Sequence, residues 1–209
     1  MNVELKNQIH YLIQHLFFCI IQHSTLHLQM THIDKELLMT KACNIRLLAL
    51  DVDGVLTDGS IIYTSQREQV QSFHVHDGLG LKLLSMAGIH VAILSSRSSH
   101  ALAIRAEELG IKLVYQGLSD KIEVYERIKE KLEIKDKEIA YIGDDWVDLP
   151  LLQKAGLAIV VADATQSMKG YADYITQQPG GRGAVREVCE LILKAQNRRS
   201  EFLNRYLNL

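Results

Sequence analysis

The sequence has 209 residues, of which 47% are apolar and 23% charged, and its formal net charge is −2. That is enough chain for one well-cored domain with some left over, in an ordinary globular balance. No basic stripe marks a nucleic-acid partner, no apolar run approaches the roughly 20 residues of a membrane span, and three cysteines without a CxxC pair point to a reduced, cytoplasmic setting.

The N-terminal part differs from the rest. From Asn7 to Ile33 there is no Asp, Glu, Lys or Arg, and five of the nine histidines lie there. Ile9, Leu12, Ile13, Leu16, Phe17 and Ile20 recur at helical spacing, which predicts a short amphipathic helix. His23 and His27 are four apart, but no glutamate follows His23 as in HExxH, so a zinc site is not expected. Residues 1–44 read as a partly helical or disordered extension, 45–196 as the main domain, and 197–209 as a helical tail.

From residue 44 onward, apolar runs alternate with helical patterns. Residues 46–50 form a β run. Residues 61–63 and 70–75 read as two short strands around the polar turn 64–67, a hairpin. Asp77 can cap a helix over 78–87, with Gly88 at its end. Residues 90–94 are a buried strand, and Ser98 or Ser99 opens a helix that ends at Gly110. A strand at 112–115 is followed by a helix from a Ser119 cap to 132. Then come a strand at 139–142, a helix at 146–155 and a strand at 157–161. A last helix runs from 184 into the charged tail.

Strands alternating with helices predict an α/β fold, a doubly wound and mostly parallel sheet covered on both faces. Ligands in such folds sit outside the carboxyl ends of the strands. Four strand ends deliver polar groups to that edge: Asp51 and Asp53, then Ser95, Ser96 and Arg97, then Lys121, then Asp144, Asp145 and Asp148. Carboxylates without clustered Cys or His suit a hard cation such as Mg²⁺. A lysine and a hydroxyl on the same rim suit a phosphate. A carboxylate can serve as a nucleophile, and a second one two residues on can exchange a proton with the leaving group.

The sequence DVDGVLT, beginning at Asp51, resembles the first signature of the haloacid dehalogenase superfamily. LSSR, ending at Arg97, is similar to the second motif, Lys121 in LSDK to the third, and GDDWVD, from Gly143, to the fourth. The resemblance implies a Rossmann-like fold, Asp51 as nucleophile and Asp53 as general acid/base. It implies Mg²⁺ held by Asp51, the Asp53 carbonyl and Asp144, with Asp145 and Asp148 in support. Ser95 and Lys121 would bind the phosphoryl group, with Ser96 and Arg97 beside them.

TDGSIIY, FHVHDGLGLKLL, YQGLSDK, AYIGDDWVDLP and PGGRGAVREVCELIL together resemble the 3-deoxy-D-manno-octulosonate 8-phosphate phosphatase family. This implies a small phosphorylated sugar acid as substrate, a role in lipopolysaccharide biosynthesis, a homotetramer, and a β-hairpin in place of a large cap domain. Arg182, in the Gly-rich segment 180–183, would then meet an anionic sugar acid. Two positions depart from the family pattern: His76 stands where many relatives carry Arg, and Ser95-Ser96 stand where Thr-Gly is common. Two other readings are a phosphatase for a nine-carbon sialic-type sugar acid 9-phosphate and a non-catalytic receiver-like module. The paired Asp51 and Asp53 favour turnover over the second.

Overall fold

In a computed structural model of the chain, residues 34–207 are described. The amphipathic pattern from Ile9 to Ile20 and the His23–His27 pair lie outside them. The elements in chain order are α1 (Lys35–Cys43), β1 (Leu47–Leu50), β2 (Ile62–Tyr63), β3 (Gln69–Val70), α2 (Val75–Met86), β4 (His90–Leu94), α3 (His100–Leu109) and β5 (Leu113–Tyr115). They continue with α4 (Lys121–Leu132), β6 (Ile139–Gly143), α5 (Leu149–Lys154), β7 (Leu157–Val160), β8 (Tyr174–Ile175), α6 (Ala184–Ala195) and α7 (Arg199–Leu207).

Six strands form one sheet in the order β5-β4-β1-β6-β7-β8, and every pairing is parallel. Leu47 pairs with His90 on one side and with Ile139 on the other. The chain leaves β1 toward β4 and β5, then returns to β6 on the opposite side. The direction of winding therefore reverses at β1, which opens a crevice at its carboxyl end. All residues of β1, β6 and β7 are buried, as expected for strands covered on both faces. Helices α2 and α6 pack together, α1 joins them on α6, and α4 packs with α5. The rule that parallel crossovers are right-handed places the two groups on opposite faces of the sheet.

Helix α6 shows why it docks. Ala184, Val185, Val188, Cys189, Ile192 and Leu193 are buried along one stripe at the helical period. Among the described residues, Cys189 is buried and Cys43 is exposed, and the two are not bonded to each other. No described helix is long and apolar enough to cross a membrane.

Several boundaries differ from the sequence expectation, each for a local reason. The returning hairpin strand is Gln69–Val70, not 70–75, because its partner offers only Ile62 and Tyr63 for pairing. The freed residues start α2 at Val75, so His76 is helical and Asp77 lies inside the first turn instead of capping it. Asp120, not Ser119, caps α4: its carboxylate accepts from the Ile122 N–H at 2.7 Å. Ser99 caps α3 and Gly110 closes it in the left-handed region, as expected. The span 146–155 divides into a 3-10 turn (Trp146–Asp148) and α5. The final helix breaks at Asn197, whose φ is 56°. There the Arg198 N–H reaches back to the Leu193 carbonyl, a left-handed helix stop with Asn in the usual glycine position. Strand β8 and helix α1 have no clear signal in the sequence: β8 is two residues long, and α1 buries only Ala42.

Candidate active site

The crevice outside β1 is built from four strand ends. Asp51 follows β1 directly, and its N–H continues the sheet by donating to the Ile142 carbonyl of β6. The chain then turns sharply. The N–H groups of Val55, Leu56 and Thr57 all donate to the Val52 carbonyl. The Thr57 hydroxyl accepts from the Gly54 and Gly59 N–H groups, which fixes the turn. Gly54 has φ 83°, and a Cβ there would overlap the Asp144 carboxylate, so only glycine allows the two loops to meet.

Lys121, at the start of α4, is buried between two carboxylates. Its Nζ lies 3.0 Å from Asp51 Oδ1 and 2.8 Å from Asp148 Oδ1. Asp148 is fully buried. Its Oδ1 also accepts from the Tyr141 hydroxyl at 2.6 Å, and its Oδ2 accepts from the Asp144 N–H at 3.0 Å. A buried carboxylate needs such donors to replace its lost hydration, and here they tie α4, β6 and the loop after β6 into one unit.

Oxygens of Asp51, Asp144 and Asp148 all approach within 4.8 Å of one another. Three carboxylates face one ammonium, so the ionised cluster carries excess negative charge. Burial, then repulsion from Asp148, pushes the Asp51 carboxyl up to about 6 despite Lys121. Burial, then Asp148 and Asp51, pushes Asp144 up to about 7. Burial works to lower the Lys121 pKa, but the two aspartates outweigh it and hold it above the ordinary lysine value. An all-oxygen donor set with surplus negative charge fits a hard divalent cation.

Asp53 sits at the edge of the crevice, a quarter exposed, with Arg97 Nε 3.6 Å from its Oδ2. Ser95 is buried at the end of β4, where its hydroxyl accepts from the Arg97 N–H at 3.1 Å. Ser96 is exposed at the rim. Asp145 faces outward and accepts from the Trp146 N–H at 2.8 Å, so it stands outside the carboxylate cluster. Arg182 is exposed and pairs with Asp58 at 3.3 Å. It reaches the loop after β1 because residues 180–183 lie on that loop: the Gly181 N–H donates to the Val55 carbonyl at 2.8 Å. A Cβ on Gly180 would overlap the Gly54 carbonyl oxygen.

Three participants do not stand out in the sequence. Tyr141 reads there only as a strand residue, although a tyrosine inside a buried strand needs a partner for its hydroxyl, and that need is the available signal. Gln71 reads as part of the hairpin, yet its amide donates to Asp53 Oδ1 at 3.2 Å. Asp77 reads as the cap of its own helix. Its carboxylate instead accepts from the Gly183 and Arg186 N–H groups, at 3.2 and 2.7 Å, at the start of α6. Burial raises its pKa and these two donors oppose the rise.

Residues 114–187 match the model of a haloacid dehalogenase-like hydrolase family. A 3-deoxy-D-manno-octulosonate 8-phosphate phosphatase of Salmonella typhi is 47% identical over 163 residues, which cover 78% of this chain and 87% of that one. The chain belongs to the 3-deoxy-D-manno-octulosonate 8-phosphate phosphatase family. The enzyme of that name from Escherichia coli K12 is 45% identical over the same shares of both chains. A Moraxella catarrhalis phosphatase of this family, solved in complex with magnesium, phosphate and 3-deoxy-D-manno-octulosonate (KDO), superposes with a TM-score of 0.81 at 45% identity. The match covers 83% of this chain and 99% of that one. A Yersinia pestis member gives a TM-score of 0.78 at 44% identity, over 78% and 89% of the two chains. Membership makes this chain a phosphatase, a phosphoric monoester hydrolase, with a haloacid dehalogenase fold.

Proposed function

We propose that the chain hydrolyses 3-deoxy-D-manno-octulosonate 8-phosphate to the free sugar acid and phosphate, through an aspartyl-phosphate on Asp51. The reaction would serve lipopolysaccharide biosynthesis in the cytoplasm. The observation that carries this reading is the buried Asp51 carboxylate, held 3.0 Å from Lys121 with Asp53 two residues on, in a chain of this family.

Asp51 attacks phosphorus, and the bond from phosphorus to the sugar oxygen breaks. Asp53 gives its proton to the leaving alkoxide. Water then attacks the aspartyl-phosphate, Asp53 takes its proton, and the bond from Asp51 to phosphorus breaks. Lys121 and the Ser95 hydroxyl bind the phosphoryl oxygens. Asp51, the Asp53 carbonyl and Asp144 would hold Mg²⁺, which supplies charge neutralisation between an anionic nucleophile and an anionic substrate. Asp148 keeps Lys121 and the loop after β6 in place. Arg97 and Arg182 are the cations offered to the sugar-acid carboxylate, with Ser96 at the same rim and Asp145 in outer support.

The test is a panel of phosphorylated sugar acids. The eight-carbon 8-phosphate is expected to exceed a nine-carbon sialic-type 9-phosphate in kcat/KM by at least ~10-fold, the order that pocket contacts can discriminate. Equal rates would remove the substrate assignment. Phosphorylation of Asp51 without turnover of any ester would favour the receiver-like module.

Metal binding should depend on pH in a defined direction. A carboxyl raised by folding contributes stability that is present below its unfolded value of 3.8 and is lost as pH rises through its folded value. For Asp51 and Asp144 that window closes at about 6 and about 7. A divalent cation binds only the ionised forms, so it restores what the higher pH removes. The rise in melting temperature on adding Mg²⁺ should therefore be large near pH ~8 and small near pH ~5. Equal rises at both would contradict a site made by these two aspartates.

The hairpin presents Ile61, Ile62, Tyr63 and Val70, each between 44% and 63% exposed. Such a run of exposed apolar groups marks a protein interface, and we assign it to contacts between copies in a homotetramer. The double substitution Ile62→Asp, Val70→Asp should yield a monomer by light scattering. A native chain that is already monomeric would refute the assignment.

A further inference from the structure

We propose that Gln71 is a positioning residue for Asp53, and that through it the β-hairpin sets the geometry of proton transfer. The inference rests on the acid/base reading of Asp53 above.

Among the described residues, Gln71 makes the only side-chain hydrogen bond to the Asp53 carboxylate, Nε2 to Oδ1 at 3.2 Å. Arg97 approaches the other oxygen only to 3.6 Å. The direction of the Gln71 bond is set by a chain of donors. The Ser99 hydroxyl accepts the Leu102 N–H as the cap of α3, so its hydrogen is free to point elsewhere. It points to Gln71 Oε1 at 2.6 Å. With the carbonyl of the amide occupied, the NH₂ end must face Asp53, which when ionised can only accept. The Ser99 backbone is itself pinned, since its N–H donates to Gln116 Oε1 at 2.6 Å.

Gln71 comes immediately after β3, at the foot of the hairpin, while Ser99 stands at the start of α3 and Gln116 just after β5. Three separate elements thus converge on one carboxylate rotamer. The cost of a misplaced catalytic group is large: a shift of about 1 Å can lower a rate by ~10²-fold. No comparable bracing reaches Asp53 from its own loop, where the side chains that bond, such as Thr57, bond to backbone.

The experiment is a double-mutant cycle on the purified full chain with 3-deoxy-D-manno-octulosonate 8-phosphate. Gln71→Met should lower kcat about 10- to 100-fold, with KM held within about twofold and the melting temperature and oligomeric state unchanged. In an Asp53→Asn background the same change should have less than about a twofold effect, because its partner is gone. Gln71→Lys, which keeps a donor toward Asp53, should restore most of kcat. A general structural role would instead make Lys as damaging as Met and give equal losses in both backgrounds; either result overturns the inference, and the Lys variant decides if Asp53→Asn is too slow to measure. If Asp53→Asn turns over normally, the acid/base reading falls and takes the inference with it. If Asp53→Asn is impaired and Gln71→Met keeps full kcat, only the inference falls.

Discussion

Replacing Asp51 by asparagine is expected to abolish phosphate release while leaving the fold intact. The amide has nearly the volume of the carboxyl, so the close fit against Lys121 survives. What is lost is the anionic oxygen that, in the proposed mechanism, forms the bond to phosphorus. Loss of a nucleophile that acts as a unit with its partners costs on the order of 10⁴-fold or more in kcat. Stability should not fall, because Asp51 is a costly ion: burial and Asp148 have already pushed it up to about 6. The neutral amide removes one of the carboxylates that repel each other there. Single-turnover assays with acid quench, alongside thermal melts, would check both halves. Turnover near the native rate would eliminate Asp51 as nucleophile.

Lys121→Met should damage stability as well as activity. Among the described residues the lysine is the only cation between Asp51 and Asp148, and methionine matches its stem but leaves both carboxylates facing apolar sulfur. Breaking a buried ion pair from one side costs about 3–5 kcal/mol when the remaining charge cannot escape. Asp51 can take up a proton, so the lower end of that range is expected. The loss should shrink at acid pH, where protonated Asp51 no longer needs the ammonium. Urea denaturation of metal-free protein at two pH values measures it. A loss below about 0.5 kcal/mol, the size of an ordinary surface substitution, would show that Lys121 is not holding the cluster together.

The parts of the site that lie in sequence beside a strand end can be read from the chain. Asp51, Ser95, Lys121 and Asp144 each come after an apolar run, and a parallel sheet must bring such positions to one edge. Asp148 is also legible as a carboxylate near that edge, but its full burial is not. That depends on Tyr141 and Lys121 arriving from other elements, which no local pattern encodes. Gln71 is hidden for a related reason. Its neighbours look like strand, and its partners Asp53 and Ser99 lie 18 and 28 residues away. Asp77 misleads most directly. An acidic residue near the start of a helix reads as that helix's cap, and the first turn does favour negative charge. Its carboxylate serves a helix that begins more than a hundred residues later, so its own segment cannot reveal it.

The segment 180–183 is fastened at both ends. The Gly180 N–H donates to Asp163 Oδ1 at 2.8 Å, and Gly183 and Arg186 are held by Asp77. Between these anchors it lies on the loop that carries Gly54, with no room for a methyl group. This constrains protein engineering at the C-terminal end of the chain. A truncation before residue 180 would unroof the loop that carries Asp51 as well as delete α6 and α7, and an affinity handle or linker inserted there would disturb the candidate site. Fusions are better placed after α7, because Phe202 on that helix is buried in the core and both anchors of the segment are by then in place.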